Sequence, residues 1–434
     1  MMTAWRDLDQ ATAWVFNLQK YGVKFGLSCT LSLLRRLAFP WEEMSFVHLA
    51  GTNGKGSVAA MLSAVLTRAG HPVGLFTSPH LVRFAERFRL RDEDIAGDRL
   101  LALINRVRQA VDETEPPTFF EFVTAMAFLY FYEEKAFPVI LETGMGGRLD
   151  ATNIVRPLAS VITNISLDHR EFLGDTLMAV AGEKAGIIKP GVPLVTGARQ
   201  KRVLDLFRER CRELEAPLYV MGPDFHARGG PAGRFSYHGL DLTLKGLATN
   251  LRGRHQYGNA ALALAALELL GRRGLAAPEQ AIREGLAHSR WPGRLDRMAA
   301  DPRVWLDGAH NPAAAQALAR TLASGRRDGR LIMVVGIMAD KDVDGILAKL
   351  MPLAELVIFT RPRYFRAAEP EELARRTGPY GVESLVEGDI AAAVRRAREL
   401  AGPEDRIVVT GSLFTVGEAK AYFDGVGPTE AVRG

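Results

Sequence analysis

The chain has 434 residues, 55 basic against 50 acidic for a net charge of +5, and 47% of its residues are hydrophobic. That length accommodates two or three domains with a substantial core. The basic excess is mostly arginine spread along the chain, which argues for an anionic small substrate and against a nucleic-acid partner.

Cys29 and Cys211 lie far apart and form neither a metal spacing, a redox pair nor a disulfide framework, so a reducing, cytoplasmic setting fits. The N-terminal stretch MMTAWRDLDQ has no apolar signal core, and no apolar run reaches membrane-spanning length.

In chain order, residues 7–20 read as an amphipathic helix and SFVHLA (45–50) as a short buried strand running into a glycine-rich turn. Residues 57–68 read as a helix closed by Gly70, and VGLFTS (73–78) as the next strand, so a strand–helix–strand unit is complete at once. Helices follow at 98–113 and 119–135, then strands PVILETG (138–144) and LASVITNI (158–165). Helices at 175–186, 201–215 and 256–272 flank an alternating hairpin, RFSYHGLDLTLKGL (234–247). The stretch 288–302 reads as a break, rich in Pro, Gly and mixed charge. Beyond it come strand 304–307, helix 312–323, strand 331–336, helix 342–350, strand 356–362, helices 369–376 and 389–400, and strand 407–412. The fold class is α/β: a P-loop-type, mostly parallel N-terminal domain over 1–292 and a smaller doubly wound, Rossmann-like domain over 293–434.

HLAGTNGKGSVAAML (48–62) carries the strongest chemical signal. It departs from G-x-x-x-x-G-K-[ST], because only Thr52 and Asn53 separate Gly51 from Gly54–Lys55, and Gly56 intervenes before Ser57. The physics is that of a phosphate cradle all the same. Glycines allow close backbone approach, and a helix N-terminus favours an anion. Lys55 adds a charge for the outer phosphates, and Ser57 offers a hydroxyl to Mg²⁺.

GTNGKGS resembles the ATP loop of the Mur ligase superfamily, and most of all the folylpolyglutamate synthase/dihydrofolate synthase family. Further segments agree in order: TSPHL (77–81), TFFE (118–121), ETGMGGRLDATN (142–153), TNISLDH (163–169), GEKAGIIKPG (182–191), HQYGNA (255–260), WPGR (291–294), DGAHNP (307–312) and GSLFTVGE (411–418). The resemblance runs from about residue 20 to 420.

That resemblance implies ATP held by Thr52, Asn53, Gly54, Lys55, Gly56 and Ser57, with Asn259, Arg294, Asp307 and His310 as further nucleotide contacts. His255 stands beside Asn259 at the same helix start, where either residue could simply cap it. The resemblance implies two Mg²⁺ sites, one at Ser57 and one at Ser78, Glu142 and His169, and a carbamylated lysine at Lys184. The resemblance further implies Lys55, Glu142, His169, Lys184 and His310 as the catalytic set. Thr118, Phe119, Phe120 and Glu121, with Leu149, Asp150 and Ala151, match segments that contact a pteroate substrate. For each of these a structural reading stands beside the functional one: core packing for the phenylalanines, a turn cap for Asp150 and for Ser78, a helix-face ammonium for Lys184.

The activity implied is ATP-dependent addition of L-glutamate to dihydropteroate and to folates through an acyl phosphate. A folylpolyglutamate-only enzyme shares most of the same pattern. About fifty residues precede the loop, too few for the extra N-terminal domain of a Mur peptidoglycan ligase. A switch-type NTPase or a non-catalytic nucleotide sensor accords poorly with Lys55, Glu142 and His169 together. The partners expected are small molecules, with no nucleic acid and no membrane, and the chain is expected to be a monomer.

Overall fold

The computed structural model describes residues 4–22, 24, 26–324 and 329–426. The chain divides into two compact units. The first comprises Met1–His80, Phe84–Asn250 and Gln256–Arg290, and the second Leu81–Arg83, Leu251–His255 and Trp291–Gly434.

Among the described residues the first unit holds an eight-stranded sheet. Its strands are β1 (Phe46–Ala50), β2 (Gly74–Phe76), β3 (Phe88–Leu90), β4 (Glu93–Asp94), β5 (Val139–Glu142), β6 (Ala159–Ile162), β7 (Leu194–Thr196) and β8 (Leu218–Val220), in the order β4-β3-β2-β5-β1-β6-β7-β8. From β2 to β8 neighbouring strands are parallel, while β3 and β4 add an antiparallel edge. Every residue of β1, β5 and β6 is buried, as befits parallel strands covered on both faces. The parallel arrangement gathers the carboxyl ends of β2, β5, β1 and β6 along one edge, where ligands of open α/β sheets sit.

Two helices decide what lies on that edge. Lys55–Arg68 leaves β1 and is buried from Gly56 through Leu66. Phe119–Glu133 is apolar all round, buried from Phe119 through Phe131 except at Phe120, and packs into an aromatic core with Phe46 and Trp41. A three-stranded antiparallel sheet of β9 (His226–Gly229), β10 (Phe235–His238) and β11 (Thr243–Leu247) contains the expected hairpin. Glu268 holds it to the helix His255–Gly271, accepting from Tyr237 Oη at 2.6 Å and from the amides of Leu240, Asp241 and Leu242.

The second unit holds a six-stranded sheet of β12 (Arg294–Arg297), β13 (Val304–Asp307), β14 (Leu331–Val335), β15 (Leu356–Phe359), β16 (Glu383–Val386) and β17 (Arg406–Thr410), in the order β12-β13-β17-β14-β15-β16. All neighbours are parallel except β12, which runs antiparallel to β13. β12 falls inside the stretch read from sequence as a break. It is an edge strand of charged residues with a register shift between Arg294 and Asp296, so it lacks the alternation that marks a strand. No helix among the described residues is long and apolar enough to cross a membrane.

Candidate active site

The glycine turn after β1 is built by its partner segment after β6. Gly51 has φ +148°, and a Cβ there would stand 1.9 Å from Thr163 Oγ1. That hydroxyl donates to Asn53 O at 2.6 Å, and Asn164 Nδ2 donates to the same oxygen at 2.7 Å. Asn53 N donates to Asn164 Oδ1, Thr52 N to Asn164 O, and Thr52 Oγ1 to Ser166 O. Gly54, with φ +86°, is the N-cap of the helix Lys55–Arg68 and provides no side-chain cap. A Cβ on it would lie 2.7 Å from Asn259 Oδ1. The first-turn amides therefore face a site with neither a capping side chain nor an acidic first-turn residue, the arrangement that suits an anion.

Lys55 Nζ donates to Gly51 O at 3.1 Å and lies 3.9 Å from Glu142 Oε1. Glu142 ends β5, is 5% exposed, and accepts from Ser78 N at 3.4 Å. Ser57 is buried in the helix that Lys55 begins. His169 takes a left-handed φ of +50° at the start of the short helix Arg170–Leu173, and its amide donates to the buried Asp168 carboxylate.

Lys184, on the helix Leu177–Ala185, is buried. Burial first, and then the charge of Lys55, lower its ammonium to about 7, against the pull of Asp168 and Asp150. Lys55, Glu142, Lys184 and Asp168 thus share one charged neighbourhood, which sequence spacing alone does not reveal.

The segments expected to meet a pteroate are more structural than ligand-like. Thr118 and Glu121 form a capping box: Thr118 N donates to Glu121 Oε2 at 2.8 Å and Glu121 N to Thr118 Oγ1 at 3.3 Å. Phe119 is a core residue, stacked on Phe16 at 5.7 Å. Phe120 is half-buried with its ring 6.0 Å from Phe76. Asp150 is 6% exposed and accepts from Thr152 N, Thr152 Oγ1 and Met145 N, so its carboxylate organises the turn that carries Leu149 and Ala151.

Arg87, absent from the sequence-based set, is 2% exposed, donates from Nε to His80 Nδ1 at 2.8 Å and lies 5.0 Å over the Phe119 ring. Burial lowers it to about 9.

In the second unit, Asp307 at the end of β13 accepts from Leu295 N and Ala309 N, both at 3.0 Å. It stands opposite Arg294 across the β12–β13 pair. Burial raises its carboxyl, and Arg294 opposes that shift. His310 Nδ1 meets Gly308 O at 2.8 Å. Burial lowers His255 to about 4, with Arg294 adding to the effect.

A phosphate-type turn at the end of a parallel strand is followed in sequence by a second parallel-sheet unit. The Mur ligase middle domain matches residues 49–267, and the Mur ligase, glutamate ligase domain matches 293–413. The chain is 36% identical to the dihydrofolate synthase/folylpolyglutamate synthase of Bacillus subtilis (strain 168), over 97% of this chain and 99% of that one. It is 32% identical to the folylpolyglutamate synthase of Lacticaseibacillus casei, over 88% and 91%. Among solved structures, Escherichia coli FolC in complex with DHPP and ADP matches with a TM-score of 0.89 and 31% identity, over 98% of this chain and 99% of the other. The chain belongs to the dihydrofolate synthase/folylpolyglutamate synthase family.

Two outcomes follow from this geometry. Gly51→Ala forces Thr163 off its bond to Asn53, so the urea midpoint falls, by about 1–3 kcal/mol in stability, and ATP affinity falls with it. For Lys184, the unfolded chain binds its proton up to about pH 10.4, whereas the folded chain releases it near 7. The unmodified ammonium therefore costs the folded state most below pH 7, and the cost fades as pH rises. Lys184→Met raises the thermal midpoint at pH 6, and the gain shrinks toward pH 10, as differential scanning calorimetry in CO₂-free buffer would read.

Proposed function

We propose that this chain joins L-glutamate to dihydropteroate, and then to reduced folates, in ATP-dependent amide bonds. The observation that carries this reading is the Lys55 ammonium, set at the start of an uncapped helix and 3.9 Å from the buried Glu142 carboxylate. Residues 1–292 would hold ATP and the pteroate or folate, and 293–434 would serve the glutamate.

The acceptor's carboxylate oxygen attacks the γ-phosphorus, the bond to the bridging oxygen breaks, and ADP leaves. The amine of glutamate then adds to the acyl carbon, and phosphate departs as the amine loses its proton. Charge on the transferred phosphoryl is spread over its oxygens, so positioned cations and amides do most of the work. Lys55 and the first-turn amides of Lys55–Arg68 supply these from the chain itself. Asn259, against Gly54, fits a contact to the nucleotide.

Ser57, and Ser78 with Glu142 and His169, are the residues that would hold Mg²⁺. Hydroxyl and carboxylate oxygens suit that hard cation, which keeps several waters and borrows phosphate oxygens. Among the described residues no three His, Cys, Asp or Glu side chains gather as a metal site. The cation, when bound, neutralises phosphate charge.

Lys184 is the residue that would carry a carbamate. Its depressed ammonium leaves a neutral amine near pH 7, able to attack CO₂ and release one proton. The Lys55 charge then favours the resulting anion. Phe120 and the turn at Leu149–Ala151 would border the pteroate, with Thr118, Phe119, Glu121 and Asp150 holding that border in shape. The setting that fits is cytoplasmic, with the chain as a monomer.

A coupled ADP assay tests the reading. ADP forms with 7,8-dihydropteroate plus glutamate and with tetrahydrofolate plus glutamate. Turnover with tetrahydrofolate alone would leave a folylpolyglutamate synthase, the activity named for the Lacticaseibacillus casei relative. ATP hydrolysis at full rate with neither acceptor would overturn ligation. Lys55→Ala abolishes ADP formation while circular dichroism stays that of the parent. With ¹³C-bicarbonate, the protein gives a carbamate resonance that Lys184→Arg lacks.

A further inference from the structure

His48 lies mid-strand in β1, wholly buried, paired with Leu141 in β5 and Ser160 in β6. An imidazole is a costly occupant there, since a buried polar ring needs partners. Its Nε2 is 2.8 Å from Thr152 Oγ1, and that hydroxyl donates to Asp150 Oδ1 at 2.5 Å. Thr152 has one hydroxyl proton and Asp150 takes it, so His48 must donate from Nε2. Its Nδ1 is then the bare nitrogen, and Nδ1 is the His48 atom without a hydrogen-bond partner among the described residues. Burial, aided by Lys189, holds the ring neutral down to about 3, so one ring nitrogen carries a proton and the other is bare.

The far end of the chain of bonds is a turn. Asp150 Oδ2 accepts from Met145 N at 2.9 Å, three residues beyond Glu142, and Thr143 N donates to Leu49 O next to His48. The same turn is tied to the Lys184 helix, with Arg148 N donating to Glu183 O at 2.7 Å and Asn153 Nδ2 to Gly186 O at 3.1 Å.

We propose that His48, Thr152 and Asp150 are positioning residues, a buried relay from the centre of β1 that fixes the turn after β5 and thereby aims the Glu142 carboxylate. This rests on the reading of Glu142 as a cation ligand. Residues behind a metal ligand fix its orientation, and their loss typically costs about 10–100-fold in metal affinity or activity.

Thr152→Val keeps the volume and removes the hydroxyl, and Thr152→Ser restores it. His48→Leu removes the donor, and His48→Gln keeps an N–H. Mn²⁺ binding in the presence of ADP, followed by electron paramagnetic resonance of the free ion, reads the site without turnover. The ADP assay gives kcat and the acceptor KM. Thr152→Val and His48→Leu weaken Mn²⁺ binding and lower kcat by about tenfold, while Thr152→Ser and His48→Gln stay near the parent. Glu142→Gln is measured alongside. If it weakens Mn²⁺ binding while folded Thr152→Val does not, the relay is refuted and the ligand reading stands. If Glu142→Gln itself leaves Mn²⁺ binding unchanged, the ligand reading fails, and the relay with it. Should Thr152→Val not fold, His48→Leu decides by the same readouts.

Discussion

Two backbone positions with no room for a side chain govern the rest of the first unit. Gly51 meets Thr163 and Gly54 meets Asn259. These contacts press the turn after β1 against the segment after β6 on one side and the helix His255–Gly271 on the other. Hydrogen bonds with Thr163, Asn164 and Ser166 then lock Thr52 and Asn53. With the turn fixed, the helix must begin at Lys55, and its ammonium must arrive beside Glu142. The departure from the usual phosphate-loop spacing is what this packing demands. A longer turn would need space that Thr163 and Asn259 already fill.

The charges collected there are not balanced by one another in the ordinary way. Lys55 lies at ion-pair distance from Glu142, but it also pushes the Lys184 ammonium toward neutrality. Buried like charges of this kind destabilise a fold that gains nothing else from them. An anion at the helix N-terminus would offset the Lys55 charge. Perturbed charges gathered in one place are a mark of functional sites.

The strands and the glycine turn were legible because buried parallel strands are continuous apolar runs and glycine marks a turn regardless of partners. The family resemblance supplied the residue roles that spacing could not. What stayed hidden was of two kinds. Some signals were present but masked by a stronger reading: TFFE has the T-x-x-E spacing of a capping box, yet its paired phenylalanines suggest a ring-stacking site. β12 hides its strand character in charged residues at a sheet edge. Other features have no local signal at all. His48 and Thr152 are 104 residues apart, and Thr52 and Ser166 are 114 apart. Only the topology, which sets β1 between β5 and β6, brings them together.

Arg87 shows the same logic at the start of the helix Phe119–Glu133. A guanidinium that is 2% exposed normally demands a carboxylate. This one has an imidazole at Nε and an aromatic face at 5.0 Å, with Glu86 and Glu142 supplying negative charge nearby. Its partners belong to two segments singled out for different chemistry: His80 follows Ser78 in TSPHL, and Phe119 opens the helix capped by Thr118 and Glu121. The buried cation therefore couples the position of the Ser78 loop to the start of the helix Phe119–Glu133. Phe119 is a core ring that is also the surface on which Arg87 rests, with Phe120 half-buried beside it.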